Sequence, residues 1–133
     1  MKRIVLGLSA VVACLAEVSS IWAASPEGNP NLGKVRHIVL FQFKEGTTPE
    51  QVKAIENAFR ALPQKIPLVA GFEWGTNMSP ENRAQGFTHG FLLTFKTPAD
   101  RDAYLPHPAH KAFGKLLGPH LEKVLVFDFV AKE

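Results

Sequence analysis

A strand followed directly by a capped helix occurs twice in this chain, and this pattern constrains the fold more than any other feature. Residues 35–44 and 87–96 both alternate with a period of two and place phenylalanines on one face, which is typical of β-strands. A Thr-Pro pair follows each run, at residues 48–49 and 97–98. Threonine before proline predicts an N-cap with proline in the first helical turn.

Prolines and apolar spacing predict the other elements. Apolar residues continue at helical spacing to Leu62, so we expect Pro63 to end the first helix and Pro67 to prevent its resumption. Pro106 is expected to break the second helix near Leu105. The remaining predicted elements are strands over residues 68–76 and 124–130 and a last helix over residues 109–117.

The element order is therefore β-α-β-β-α-β, which predicts an α+β fold of the ferredoxin-like, split βαβ type. Such a fold has one four-stranded antiparallel sheet with its helices on one face. The other face would carry a second set of apolar side chains, contributed by Ile38, Leu40, Leu92, Leu125 and Phe127. Because an uncovered apolar face normally binds a partner, we expect a homodimer that forms through the open sheet face.

The N-terminus predicts export. Two basic residues precede an apolar run over residues 4–16, and small residues follow at 23–25, which is the layout of a secretory signal peptide. The run is too short to span a bilayer, which takes about 20 residues. We predict a signal peptide over residues 1–24, a linker over 25–33 and one domain over 34–131, in a periplasmic or secreted protein.

The signal has an alternative end at Cys14. Residues 11–14, Val-Val-Ala-Cys, resemble a bacterial lipobox. In this alternative the signal ends before Cys14, which carries a lipid and anchors the protein to a membrane surface. Cys14 is also the only cysteine of the chain, so a disulfide framework is excluded.

The charge pattern narrows the class of partner. The chain has 15 basic and 12 acidic side chains, a formal net charge of +3, and the basic residues are scattered. So small an excess does not predict nucleic-acid binding. We also predict no membrane span, so the expected partners are a second copy of the chain and a small-molecule ligand.

Four side chains capable of acid–base chemistry are expected to converge on one pocket. His37 and His89 lie on the Phe-rich faces of two strands that a split βαβ fold places side by side. His110 shares a helix face with Phe113, and Tyr104 comes shortly before it. We predict a pocket between helices and sheet that is apolar with a few polar groups, as ligand sites usually are.

These residue types suit catalysis or binding, and several have a structural alternative. Histidine can act as general base or acid and a tyrosine hydroxyl can hold a carbonyl oxygen, so His110 and Tyr104 are the candidate catalytic pair. A strand histidine can equally donate to a neighbouring carbonyl, and His107 can cap the last helix. The candidate ligand-binding residues are His37, His89, His107, Phe91 and Phe113.

Several segments together resemble a known family. Residues 35–41, 86–89 and 127–129, and above all the Tyr-x-x-His-Pro-x-His run at residues 104–110, are similar to the stress-responsive dimeric α/β-barrel (Dabb) family. The resemblance covers residues 34–131. It implies a ferredoxin-like fold and a homodimer whose two sheets form a barrel.

The resemblance also implies residue roles, because the family includes a plant polyketide cyclase. His110 matches the histidine proposed there as the base of an aldol condensation, and Tyr104 matches the tyrosine that orients the substrate carbonyl. His37 and His89 match two pocket histidines in supporting roles. The predicted export signal is a departure, since acyl-CoA polyketide intermediates are cytosolic.

Two functions follow from the sequence, and it does not decide between them. The first is an exported protein that binds a small apolar or aromatic ligand in a His/Tyr-lined pocket. The alternative is a cyclase-like acid–base enzyme that uses His110 and Tyr104. Haem or metal handling is weaker: imidazoles suit transition metals, but no carboxylate is expected within the histidine group, so no metal site or cofactor is predicted.

Overall fold

The computed structural model describes residues 28–133, and the predicted signal peptide over residues 1–24, with Cys14, lies outside the described residues. Four strands form one antiparallel sheet in the order β2-β3-β1-β4, which confirms the ferredoxin-like fold. The elements are β1 (Val35–Phe43), α1 (Pro49–Arg60), α2 (Leu62–Lys65), β2 (Val69–Thr76), β3 (His89–Phe95), α3 (Pro98–Tyr104), α4 (Pro108–Leu117) and β4 (Leu121–Val130), with a 3₁₀ turn at Gly118–His120. No helix within residues 28–133 is long and apolar enough to cross a membrane.

Side-chain caps start both predicted helices. The Thr48 hydroxyl accepts from the Gln51 backbone N–H at 3.2 Å, and the Gln51 side chain accepts from the Thr48 backbone N–H at 2.9 Å. The Thr97 hydroxyl accepts from the Asp100 backbone N–H at 3.1 Å. Each such cap stabilises its helix by about 1 kcal/mol. The Thr-Pro pairs therefore mark both helix starts correctly.

The expectation that no helix lies between Pro63 and Pro67 is wrong. The first helix ends at Arg60, and Pro63 lies in the first turn of the short helix α2, Leu62–Lys65. Proline is tolerated there because a first-turn N–H has no intrahelical partner. The proline therefore starts a new turn of helix.

A cluster of aromatic rings forms the core between the sheet and the helices. Phe59 of α1 packs with its ring centroid 4.3 Å from Phe91 of β3 and 4.5 Å from Phe113 of α4. Phe41 of β1 joins the same cluster, and all four residues are buried. The core thus lies on the Phe-rich face of the sheet, and the helices cover that face over the three neighbouring strands β2, β3 and β1.

β4 is packed differently, because it is an edge strand whose main contacts are with β1. Val126 pairs with the buried Val39 and therefore lies on the helix side, yet it is 55% exposed. Phe127, on the opposite face, is 58% exposed. The structure thus has the open apolar face expected from the sequence and a second exposed apolar surface, on the helix side of β4, that was not predicted.

Candidate functional site

A cavity of about 310 Å³ lies between the sheet and helices α3 and α4. Most of its wall is aromatic or aliphatic, and three side chains with polar ring or hydroxyl groups line it. The polar residues are His37, Tyr104 and His110, and the main apolar ones are Val39, Phe41, Phe59, Leu105, Phe113, Leu117, Val124 and Val126. An apolar cavity with a few convergent polar groups is the usual form of a small-molecule site.

Tyr104 lines this cavity and has an unsatisfied hydroxyl. The residue is completely buried, and its hydroxyl is the one buried side-chain polar atom without a hydrogen-bond partner among residues 28–133. Burial raises the pKa of Tyr104 well above its ordinary value, so the hydroxyl keeps its proton and remains a donor. Leaving such a group unpaired costs about 1–3 kcal/mol, which a bound acceptor would recover.

His110 lies against Tyr104, with the two ring centroids 4.4 Å apart. Its Nδ1 is 2.9 Å from the carbonyl oxygen of Leu105. Because a carbonyl only accepts, Nδ1 carries the proton and donates, and Nε2 is left as the ring nitrogen that can accept a proton. The α3–α4 connection thus sets the tautomer of the candidate base.

His37 is the third polar side chain, and a carboxylate holds it in place. It is buried, and its Nδ1 lies 2.6 Å from Oδ1 of Asp128. The other carboxylate oxygen of Asp128 binds Arg101. Hydrogen bonds to Asp102 and Asp128 raise the pKa of Arg101 against the opposing effect of desolvation, so the guanidinium stays charged. The Asp128 carboxylate group orients His37, whose ring lies edge-on to Tyr104 with the ring centroids 6.0 Å apart.

One sequence-based expectation fails here. No carboxylate was expected within the histidine group, yet Asp128 binds His37 and Glu56 binds His89. Arg101, which was not among the candidate site residues, forms an ion pair with Asp128. Asp128 and His37 are 91 residues apart and meet because β1 and β4 pair in register. The usable signal was Asp128 itself, the single acid within the otherwise apolar residues 124–130.

The predicted convergence of His89 on the same pocket is wrong. His89 pairs with Phe41, four residues along β1 from His37, so it lies on the same face but at the other end of the strand. Its Nε2 donates to Glu56 at 3.0 Å and its Nδ1 lies 2.8 Å from the Thr88 hydroxyl. Both ring nitrogens therefore have partners, and His89 borders a separate surface depression.

The other candidate residues also divide into those that line the cavity and those that do not. Phe113 lines the cavity, whereas Phe91 is a core residue that does not. His107 caps α4, where its Nδ1 accepts from the Ala109 backbone N–H at 3.1 Å, and it does not line the cavity. Within residues 28–133, no three His, Cys, Asp or Glu side chains group as metal ligands would.

The fold and cavity define a class: ferredoxin-like α+β domains with an apolar site between sheet and helices. Comparison with protein families then places the chain within that class. The model of the Dabb family, the stress responsive A/B barrel domain, matches residues 35–131. The chain belongs to this family.

Two relatives are similar over most of their length. A stress-response A/B barrel domain-containing protein, HS1, of Arabidopsis thaliana is 37% identical over 97 residues, which are 73% of this chain and 89% of the relative. Olivetolic acid cyclase of Cannabis sativa is 29% identical over 99 residues, 74% of this chain and 98% of the cyclase.

Solved structures share the fold. A hydroxynitrile lyase from Passiflora edulis superposes with a TM-score of 0.72 at 32% identity, covering 78% of this chain and 97% of the lyase. A dimeric protein of unknown function with a ferredoxin-like fold from Bacteroides fragilis superposes with a TM-score of 0.62 at 31% identity, covering 74% of this chain and 97% of that protein. The chain is thus similar to a cyclase, a lyase and a dimeric protein of unknown function.

Proposed function

We propose that this protein is an exported homodimer that binds a small aromatic or apolar ligand, with a carbonyl or similar acceptor group, in the cavity beside Tyr104. One observation carries the proposal: a buried tyrosine that lines an apolar cavity of about 310 Å³ has a hydroxyl without a hydrogen-bond partner among residues 28–133. Export rests on the signal-like residues 1–24 and places the protein in the periplasm or medium. A lipid anchor at Cys14 is its alternative.

The cavity wall suits such a ligand. Phe113 and Leu117 offer apolar surface to a ring, while Tyr104 offers one donor to an acceptor atom. The volume lies at the lower end of the usual range for ligand pockets, about 300–1,000 Å³, so the ligand is small. A ligand with an acceptor satisfies the Tyr104 hydroxyl, and a pure hydrocarbon of the same size does not.

The homodimer is supported by the open sheet face. Leu125, Phe127 and Phe129 of β4 are each at least 40% exposed on that face. Related ferredoxin-like proteins are described as dimeric, including the Bacteroides fragilis protein at 31% identity. A second copy that covers this face removes the exposed apolar surface from water.

A second candidate function, acid–base catalysis, is favoured by the contact between His110 and Tyr104. In this function His110 Nε2 takes a proton from the carbon next to a ligand carbonyl, so that a C–H bond breaks and an N–H bond forms. The electron pair moves into an enolate, whose oxygen accepts the hydrogen bond from Tyr104. That relatives include a cyclase and a lyase supports this alternative.

Binding is tested with PRODAN, an aromatic ketone whose fluorescence reports polarity and hydrogen bonding to its carbonyl. We expect one bound PRODAN per subunit, with Tyr104→Phe weakening the affinity about 3- to 10-fold, the value of one hydrogen bond, and shifting the emission to shorter wavelength. Thr94→Val is the control, since it removes the hydroxyl of another buried residue, one that does not line the cavity. Equal affinity of the wild type and Tyr104→Phe would overturn the proposal.

Catalysis is tested by proton exchange. In D₂O, the wild type should accelerate exchange of the α-protons of benzylacetone, an aromatic ketone, as followed by proton NMR. His110→Gln should abolish the acceleration and leave PRODAN binding within about twofold, because the amide is a much weaker base. If the wild type does not accelerate exchange, the catalytic alternative fails and the binding function stands.

A further inference from the structure

The site cavity is open on one side, and the open side is apolar. Val124 and Val126 of β4 form part of its wall and are 46% and 55% exposed, whereas Val39 on the neighbouring strand is 6% exposed. An apolar ligand in the cavity would therefore leave part of its surface, and part of this wall, in contact with water. The site of a single chain is incomplete along β4.

The open side coincides with a free sheet edge. β4 and β2 are the two edge strands, so within residues 28–133 each has one side without a partner strand. β4 is also apolar on both faces, with Val126 on the helix side and Phe127 on the other. A long apolar edge of this kind is normally covered by another segment. A second chain stacked only against the open sheet face would leave the helix side of β4 bare.

The position of the helices indicates which edges meet. If β4 met β4 of a second copy, two strands without helices above them would lie side by side, and their valines would stay exposed. β2 is different, because α2 packs against it and Trp74 stands on its helix side. Pairing β4 with β2 of the other copy therefore places the uncovered valines beside a covered strand, and twofold symmetry closes both edges at once.

Trp74 has the properties expected of the closing residue. It is 37% exposed although it is large and apolar. Its ring stacks on Phe91 at 5.8 Å with an interplanar angle of 12°, and the Arg60 guanidinium lies 5.9 Å from its centroid. The indole is therefore held in place on one side and free on the other. Aromatic side chains held in this way are typical anchors of interfaces.

We propose that a second copy of the chain completes the ligand cavity: β4 lies beside β2 of the other copy, and Trp74 of the partner subunit covers Val124 and Val126. The inference rests on the proposed homodimer and on the proposed cavity ligand. It makes Trp74 a residue that acts in trans, on the cavity of the other subunit.

A hybrid dimer distinguishes action in trans from action in cis. Purified hybrids carry Trp74→Ala in one subunit and Gly114→Leu in the other, with two different affinity tags. Gly114 lines the cavity and an added Cβ meets no atom within 4 Å, so leucine fills the cavity without a backbone clash. If Trp74 acts in trans, the Trp74→Ala subunit keeps an intact cavity, closed by its partner, and the hybrid binds one PRODAN with wild-type affinity.

The homodimeric variants supply the reference values. Trp74→Ala homodimers should bind PRODAN at least about fivefold more weakly, because each cavity loses a large aromatic cover. A hybrid as weak as these homodimers would overturn the proposal. A folded but monomeric Trp74→Ala, seen by sedimentation and circular dichroism, would support it. If alanine unfolds the chain, Trp74→Leu takes its place in the same hybrid.

Failure of the proposed function gives a different result. In that case the wild type does not bind PRODAN, or the Gly114→Leu homodimer binds it as well as the wild type. A disulfide test adds an independent outcome: Val126→Cys in a Cys14→Ser background should not cross-link the dimer. Rapid cross-linking at position 126 would show that β4 meets β4 and would overturn the proposal even if PRODAN binds.

Discussion

The two ends of the sheet face beneath the helices both carry polar aromatic side chains. They differ in whether every polar group there has a hydrogen-bond partner. At one end, both ring nitrogens of His89 have partners, Glu56 and Thr88. At the other end, the Tyr104 hydroxyl is buried without a partner beside His110 and a cavity. Buried polar groups with partners stabilise the fold, whereas an unpaired one beside a cavity indicates a ligand. For this reason only the Tyr104 end of the sheet face is a candidate ligand site.

The largest expected effect is on binding at the open end. Gly114→Leu should weaken PRODAN binding at least about 30-fold, because the side chain occupies the cavity that the ligand needs. The fold should be kept, since leucine in a helix is favoured over glycine by about 0.5–1 kcal/mol. Fluorescence titration and thermal unfolding measure the two effects. Unchanged binding in a folded variant would place the ligand elsewhere.

At the His89 end, where the polar groups have partners, a substitution should change the free energy of unfolding and not ligand binding. Glu56→Ala should lower the free energy of unfolding by about 1–2 kcal/mol, because Nε2 of His89 loses its charged acceptor within a largely buried contact. PRODAN affinity should stay within about twofold of the wild-type value. Urea unfolding and fluorescence titration test both statements, and a large loss of affinity would contradict the separation of the two ends.

Alkaline pH should act on the open end through Tyr104. Because burial raises the pKa of Tyr104, the folded chain keeps this proton above pH 10 while the unfolded chain loses it. The unfolded state then binds fewer protons, so stability falls as pH rises, by up to about 1.4 kcal/mol per pH unit. Tyr104→Phe lacks this component, and urea unfolding of both proteins between pH 9 and 11 measures the difference. If the free energies of unfolding of the two proteins change with pH in parallel, this prediction is wrong.

The smallest expected effect is on the stability of Tyr104→Phe, and it tests directly whether the Tyr104 hydroxyl lacks a partner. At neutral pH, Tyr104→Phe should leave the free energy of unfolding unchanged or raise it by up to about 1 kcal/mol, because it removes a buried group that has no partner. For comparison, Thr94→Val should not stabilise the chain, since Oγ1 of Thr94 is not among the unpaired buried atoms. A destabilised Tyr104→Phe would show that the hydroxyl has a partner within the folded chain.

Local patterns predicted most of the fold. Alternation located β1 and β3, and the Thr-Pro pairs located the starts of α1 and α3. These signals work because periodicity and capping depend on neighbouring residues. The strand β4 begins at Leu121, three residues before the predicted start at Val124, because its first residues pair across a bulge at Phe43. Such boundaries depend on the partner strand.

The candidate site was predicted only in part. The Tyr-x-x-His-Pro-x-His run placed Tyr104 and His110 near each other, since only the short connection between α3 and α4 separates the two helix ends. Asp128 and Glu56 were missed because their contacts with His37 and His89 join residues far apart in the chain. The shared face of His37 and His89 was correct, but their common pocket was not, because alternation specifies the face and not the position along the strand.

The sequence by itself determined the element order, the helix caps and the two faces of the sheet, because these follow from side chains a few residues apart. The tertiary structure alone decided which polar groups find partners. Strand register brings Asp128 to His37, helix packing brings Glu56 to His89, and the same packing encloses Tyr104 without an acceptor. Hydrogen bonds act over about 3 Å, a distance that only the folded chain sets.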